Sequence, residues 1–533
     1  MSSLHLLTAT ELAERVRRRE VSSREVVQAH LDRIERVNGD INAIVTLVPE
    51  QALAEADRAD RAMARGLPKG PLHGVPVVHK DLHDTAGVRT TYGSTIYADH
   101  VPTRDARIVT RMRQAGAICL GKTNTPEFGT GSQTYNTVFG PTRNPYDPTK
   151  TAGGSSGGSA AALSAHMTPL AGGTDMGGSL RNPAGFCNVV GLRPSAGLVP
   201  SSEDWCGLAV DGPMARTVQD VALMLSVIAG HAPASPLSWP GDGSRFRDLS
   251  PQPMRGVRVA WGRDLGGLPV DRRVTHVLET VGRPAFEDLG CVVEDREPDF
   301  TGAEEAFRTW RAWYYAQWFG EEDRAALNPD TLWNIDAGLG LSGADLARAE
   351  QRRIRLYAEV SRFFEDVDVL ALPVSQVPPF SVDLPWPDTI EGVPQTSYLD
   401  WMRSAYFISA TGLPAISGRA GSPTTGCPSE SSSSADQRAT WNCSESRTPS
   451  RTPCRPGTPP PRHSERLPRR IRPPGNPRGF PGGGSDDPTC PSIRSEKPCP
   501  NPQQVPPGSR TRAPSRASGC STCPASCPAR SAR

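Results

Sequence analysis

"TAGGSSGGSAAALSAHMTPLAGGTDMGGSLRNPAG", residues 151–185, holds two clusters of glycine and serine. Glycine weakens both helices and strands, so such clusters mark backbone held in unusual shapes or brought close to a ligand. The serines among them become candidates for chemistry. A phosphate cradle is one reading, but a P-loop needs Gly-Lys-Ser/Thr at a set spacing, and neither cluster has a lysine there. Gly153-Gly154-Ser155-Ser156-Gly157 matches G-x-S-x-G. That elbow needs a strand directly before it, and the proline-broken loop "NPYDPTK" (residues 144–150) stands there instead. A third reading reaches to distant residues. Lysine can activate a serine nucleophile where burial lowers its pKa enough to leave a neutral amine. Lys80 ends the apolar run "VPVVHK", residues 75–80, where such burial is feasible.

Around this stretch short strands and helices alternate. Residues 75–80, "AICLGK" (117–122), "VRVAW" (257–261) and "VDVLALP" (367–373) read as strands. Thr8 precedes an amphipathic helix, and Ser22 with Glu25 forms a capping box before a second. Residues 105–117, 159–167 and 215–230 read as helices, the last ending at Gly230. This alternation over most of the chain predicts a large α/β sheet domain.

The 533 residues carry a formal charge of only +2, which gives no electrostatic reason for a nucleic-acid or membrane-surface partner. The N-terminus has no apolar core of signal-peptide type, and no stretch reaches the length of a membrane span. A cytoplasmic protein is expected. Cys119, Cys187, Cys206 and Cys291 are too widely spaced for a disulfide framework. His79 and His83 stand four apart, but the pattern lacks the glutamate of H-E-x-x-H and follows a strand, so no metal site is expected. Trp310, Trp313, Trp318 and Trp333 fall in a helical stretch, where aromatics serve either as core or as pocket lining.

"GVPVVHKD" (74–81), "GAICLGKTNTPEFG" (116–129), the quoted stretch and its continuation to "GLRPSAG", and "DGPMARTVQDVALML" (211–225) together resemble the amidase signature family. The resemblance spans residues 5–417. It implies a large mixed β-sheet core covered by α-helices, and hydrolysis or transfer of amide bonds by a Ser-Ser-Lys triad without metal or cofactor. Ser179 matches the nucleophile, Ser155 the serine that follows a cis peptide bond, and Lys80 the base. The backbone N–H groups of Met176, Gly177, Gly178 and Ser179 match the oxyanion hole, with Gly154, Asp175 and Arg181 supporting the loops. The expected function is that of an amidase acting on a small-molecule amide through an acyl-enzyme on Ser179. No nucleic-acid or membrane partner is implied, and a homodimer is compatible with the resemblance. The alternative within the family is the amidotransferase component that forms glutaminyl-tRNA, which residues 193–213 resemble less.

Composition breaks at Ser417. Proline, serine, arginine and cysteine crowd residues 418–533, while leucine, isoleucine and valine almost vanish. One base lost after the Ser417 codon accounts for the change. With permitted third bases, the restored frame reads a strand-like "LPVGVQLVG" and an amphipathic "DLELLRVADAFE". The expected organisation is therefore an amidase signature domain at 1–417 lacking its closing strand and helix, followed by an out-of-frame, disordered tail at 418–533. A catalytically dead product is the alternative that follows from it. Cys520, Cys523 and Cys527 are accordingly not read as a metal site.

Overall fold

The computed structural model describes residues 4–201, 205–247 and 249–419, and the backbone of residues 440–445. The apolar run ending at Lys80 forms a strand buried on both faces, and its neighbours explain why. The strands are β1 (Ile44–Leu47), β2 (Pro76–Lys80), β3 (Ile118–Thr123), β4 (Leu170–Asp175), β5 (Val190–Arg193), β6 (Val210–Ala215), β7 (Arg258–Trp261), β8 (Val292–Asp295) and β9 (Val369–Pro373), then a short hairpin of β10 (Thr389–Ile390) and β11 (Val393–Pro394), and finally β12 (Ala415–Arg419) and β13 (Thr440–Glu445). Eleven of them form one mixed sheet in the order β1-β3-β2-β4-β6-β5-β12-β13-β9-β7-β8. β2 lies between β3 and β4 and runs parallel to both. Inner parallel strands are covered on both faces, which suits a continuous apolar run. Parallel neighbours also finish at one edge of the sheet, so Lys80 and Asp175, the last residues of β2 and β4, emerge on the same side.

The first serine cluster leads into the helix Gly157–Ser164, whose small residues are buried from Gly157 to Leu163. A Cβ on Gly158 would stand 2.4 Å from the Asn124 nitrogen and 2.7 Å from the Ala43 carbonyl oxygen. Both neighbours are backbone, so only glycine lets the helix come this close to the chain after β3. The second cluster follows β4 directly and leads into the helix Arg181–Phe186. The two clusters thus connect the sheet to two buried helices on the side where Lys80 emerges.

Elsewhere the local signals work as expected. Thr8 with Glu11 and Ser22 with Glu25 form reciprocal capping boxes. The helix read over 215–230 occupies Val218–Ile228, because Ala215 ends β6 and Thr217 caps the helix; Gly230 lies beyond it at φ +117°. Among the described residues no helix is long and apolar enough to cross a membrane. The described residues belong to the first of two compact units, Met1–Thr452; the second, Pro453–Arg533, lies outside them together with Cys520, Cys523 and Cys527. The sheet takes in residues 418–419 at the end of β12, and the backbone of 440–445 stands between β12 and β9, antiparallel to both.

Asp220 ties the N-terminal helix to the core. Its buried carboxylate accepts the Ala9 N–H at 3.1 Å, the Thr10 N–H at 2.9 Å and the Thr10 hydroxyl at 2.8 Å. Asp220→Ala leaves these helix-terminal donors unmatched and is expected to lower the unfolding free energy by about 1–3 kcal/mol, read from denaturant melts.

Candidate active site

Lys80 is fully buried at the end of β2. Its Nζ donates to Ser155 Oγ at 2.7 Å, Thr174 Oγ1 at 2.8 Å and Ser156 Oγ at 3.1 Å. Burial pushes its pKa down to about 7, against the pull of the Asp175 and Asp211 charges. Near neutrality a substantial fraction of the amine is therefore unprotonated and able to accept a proton.

Ser155 follows a cis peptide bond from Gly154. A loop that precedes the cluster in the chain holds this turn. Ser132 Oγ donates to the Gly154 carbonyl at 2.7 Å, and Thr134 Oγ1 donates to the Gly153 carbonyl at 2.9 Å while accepting the Gly157 N–H at 3.1 Å. Asn182 Nδ2, from the helix after the second cluster, reaches Ser132 Oγ at 3.0 Å. The two clusters are thus linked through Ser132. They also meet directly, since the Ser156 N–H donates to the Ser179 carbonyl at 3.2 Å.

Ser179 closes the loop after β4. Under that loop lies Asp175, whose carboxylate accepts the Gly178 N–H at 2.9 Å, the Leu180 N–H at 3.1 Å and two bonds from Arg181 at 3.0 Å each. Arg193, at the end of β5, adds an ion pair at 3.3 Å. Burial alone would raise the carboxyl's pKa, but the two guanidiniums and these donors hold it down to about 2. Gly178 adopts φ +113°, and a Cβ there would lie 2.6 Å from Ala405 Cβ, so no other residue fits. Its N–H is directed to Asp175. Of the residues whose N–H groups match the oxyanion hole, Met176, Gly177 and Ser179 line the cavity, and the Gly178 amide donates to Asp175 beneath the loop.

Ser155, Thr174 and Ser179 open onto a cavity of about 620 Å³. Its far wall is the helix Ala303–Phe319, through Tyr314, Tyr315, Trp318 and Phe319. Of the tryptophans singled out in the sequence, Trp318 lines the cavity, Trp310 and Trp313 pack against the core, and Trp333 sits edge-on to Tyr398 at 6.2 Å. His79 is buried within β2, and His83 Nε2 faces Asp211 Oδ1 at 3.1 Å. Among the described residues no group of three or more histidine, cysteine or acidic side chains is placed to hold a metal ion. Ser132, Thr134, Thr174 and Arg193 have no sequence signature of their own. Each is an ordinary residue made relevant by what folds onto it.

The family model described as Amidase matches residues 25–429. An acylamidase of Rhodococcus erythropolis is 36% identical over 441 residues, covering 80% of this chain and 91% of that protein. A glutamyl-tRNA(Gln) amidotransferase subunit from Chromohalobacter salexigens is 35% identical over 464 residues, covering 78% and 90%. The crystal structure of a bacterial aryl acylamidase of the amidase signature family superposes with a TM-score of 0.75 at 28% identity, covering 84% of this chain and 94% of that one.

Asp175 is the point at which this loop is vulnerable. Asp175→Ala strands two buried arginines and is expected to destabilise the protein by about 3–5 kcal/mol. Thermal unfolding followed by circular dichroism checks this.

Proposed function

Because this chain belongs to the amidase signature family and acts on amides, we propose that Ser179, Ser155 and Lys80 serve as nucleophile, proton relay and base. Ser179 Oγ attacks the amide carbonyl while its proton passes to Ser155, whose own proton passes to neutral Lys80. The negative charge on the carbonyl oxygen is met by N–H groups from Met176, Gly177 and Ser179. Run backwards, the relay protonates the departing amine, without which the C–N bond does not break readily. The acyl group stays on Ser179 until water, activated by the same relay, releases the acid. The observation that carries this reading is the 2.7 Å bond from Lys80 to Ser155 in a site where the lysine's pKa falls to about 7.

The same reading carries a cytoplasmic setting, for which the free thiols of Cys119, Cys187 and Cys291 are suited, and it is compatible with a homodimer. It also carries the frame change after Ser417. A fifth of the chain lies outside the acylamidase match. Sequencing DNA across codons 417 and 418 decides the matter: an altered base count supports the frame change, and an unaltered one overturns it.

Ser179→Ala and Lys80→Ala are each expected to lower kcat/KM for a simple amide by about a thousand-fold or more while leaving the circular dichroism spectrum unchanged. Full activity in either variant defeats the triad. Glutamine-dependent transfer that requires partner subunits, in place of free hydrolysis, favours the amidotransferase reading instead. Since Lys80 accepts a proton only when neutral, kcat/KM is expected to rise with pH through an apparent pKa of about 7. A rate profile flat from pH 5 to pH 9 contradicts that assignment.

A further inference from the structure

A second buried cation faces the same cavity. Arg311, on the helix Ala303–Phe319, is 4% exposed and lines the space beside Met176 and Gly177. Its Nη2 donates to the Tyr398 hydroxyl at 2.8 Å and the Tyr315 hydroxyl at 3.1 Å, and its Nε reaches Tyr398 at 3.3 Å. Among the described residues Nη1 meets only the Met176 thioether, at 3.1 Å. All of these acceptors are neutral. Asn334 Nδ2 donates to the Tyr398 hydroxyl as well, at 2.7 Å, so that oxygen is already crowded with donors.

Among the described residues no carboxylate forms an ion pair with Arg311. Asp330 feels its charge without pairing. The acids that line the cavity are engaged elsewhere: Asp84 by Tyr92, Asp211 by His83 and Glu322 by Tyr97. A buried guanidinium without a counter-charge is costly to maintain. A thioether is a weak acceptor, so the Nη1 edge keeps unused hydrogen-bonding capacity. That edge lies against the first residue of the loop that ends in Ser179. A carboxylate suits it, because the planar guanidinium donates two parallel bonds to one.

We propose that Arg311 determines specificity by binding a carboxylate on the acyl part of the substrate, so that the favoured substrates are monoamides of short dicarboxylic acids. The acyl side follows from the relay, because the amine must leave past Ser155 while Arg311 stands at Met176. This inference rests on the amidase reading above.

Succinamate and butyramide, similar in size and differing in a terminal carboxylate, provide the test. For the full chain, kcat/KM is expected to favour succinamate by about ten-fold or more, with the ratio falling to about one or below in Arg311→Met and partly kept in Arg311→Lys. The ratio is the readout, because a general disturbance of the Met176 loop lowers both rates together. A ratio near one in the unsubstituted protein, or one that Arg311→Met leaves unchanged, overturns the proposal. Preference for N-butyrylglycine over succinamate overturns the acyl placement. If Arg311 variants do not fold, or if neither amide is hydrolysed, the Ser179→Ala protein supplies the answer. A rise in its melting temperature with succinamate and not with butyramide supports the carboxylate site, and equal shifts refute it. Absence of hydrolysis of every amide tried counts against the amidase reading alone.

Discussion

Lys80 ends a strand buried on both faces, and its amine donates to the hydroxyls of Ser155, Ser156 and Thr174. An ammonium ion gives up much of its hydration to stand there, and hydroxyl dipoles return only part of it. Much of the surrounding architecture serves to keep that exchange in place. β2 must be an inner strand, which requires β3 and β4 on either side. The helix Gly157–Ser164 must seal one face, and its buried residues are glycine, serine and alanine up to Leu163. Each of these demands follows from excluding water around one nitrogen.

The loop that carries Ser179 obeys the opposite electrostatic rule. Asp175 is just as deeply buried, yet it is held fully ionised by Arg181 and Arg193 and by two backbone amides. A buried charge of this kind is tolerated only when its partners are fixed on both sides. One sheet edge therefore carries a lysine moved toward neutrality and a carboxylate locked in its charged state. The first is suited to exchange protons; the second is a fixed anchor, and its geometry sets that of the loop that ends in Ser179.

Much of this was legible in advance, and the failures have physical causes. The glycine–serine clusters, the apolar run at Lys80 and the two capping boxes are local signals, and each does locally what its residues dictate. Sequence does not say where an N–H points, and only the fold shows that Asp175 accepts that of Gly178. The aromatic helix was ambiguous because residues 310–319 carry rings on nearly every side. Only its packing selects Tyr314, Tyr315, Trp318 and Phe319 for the cavity. Ser132, Thr134 and Arg193 escaped notice because hydroxyls in loops and an arginine at a strand end are common, and their significance comes from contacts made across the fold.

Arg181 reaches beyond its own loop. It donates to the Ala405 carbonyl at 3.0 Å and to Ser409 Oγ at 2.8 Å, both on the helix Arg403–Thr411. The same helix brings Ala405 against Gly178. The loop that ends in Ser179 is synthesised early, but the helix that pins it is translated more than two hundred residues later. On the ribosome, a chain holding Lys80, Ser155 and Ser179 therefore remains without its final brace until synthesis of the domain is nearly finished. A chain that ends before this helix therefore carries the glycine–serine loop without the contacts that hold it in place.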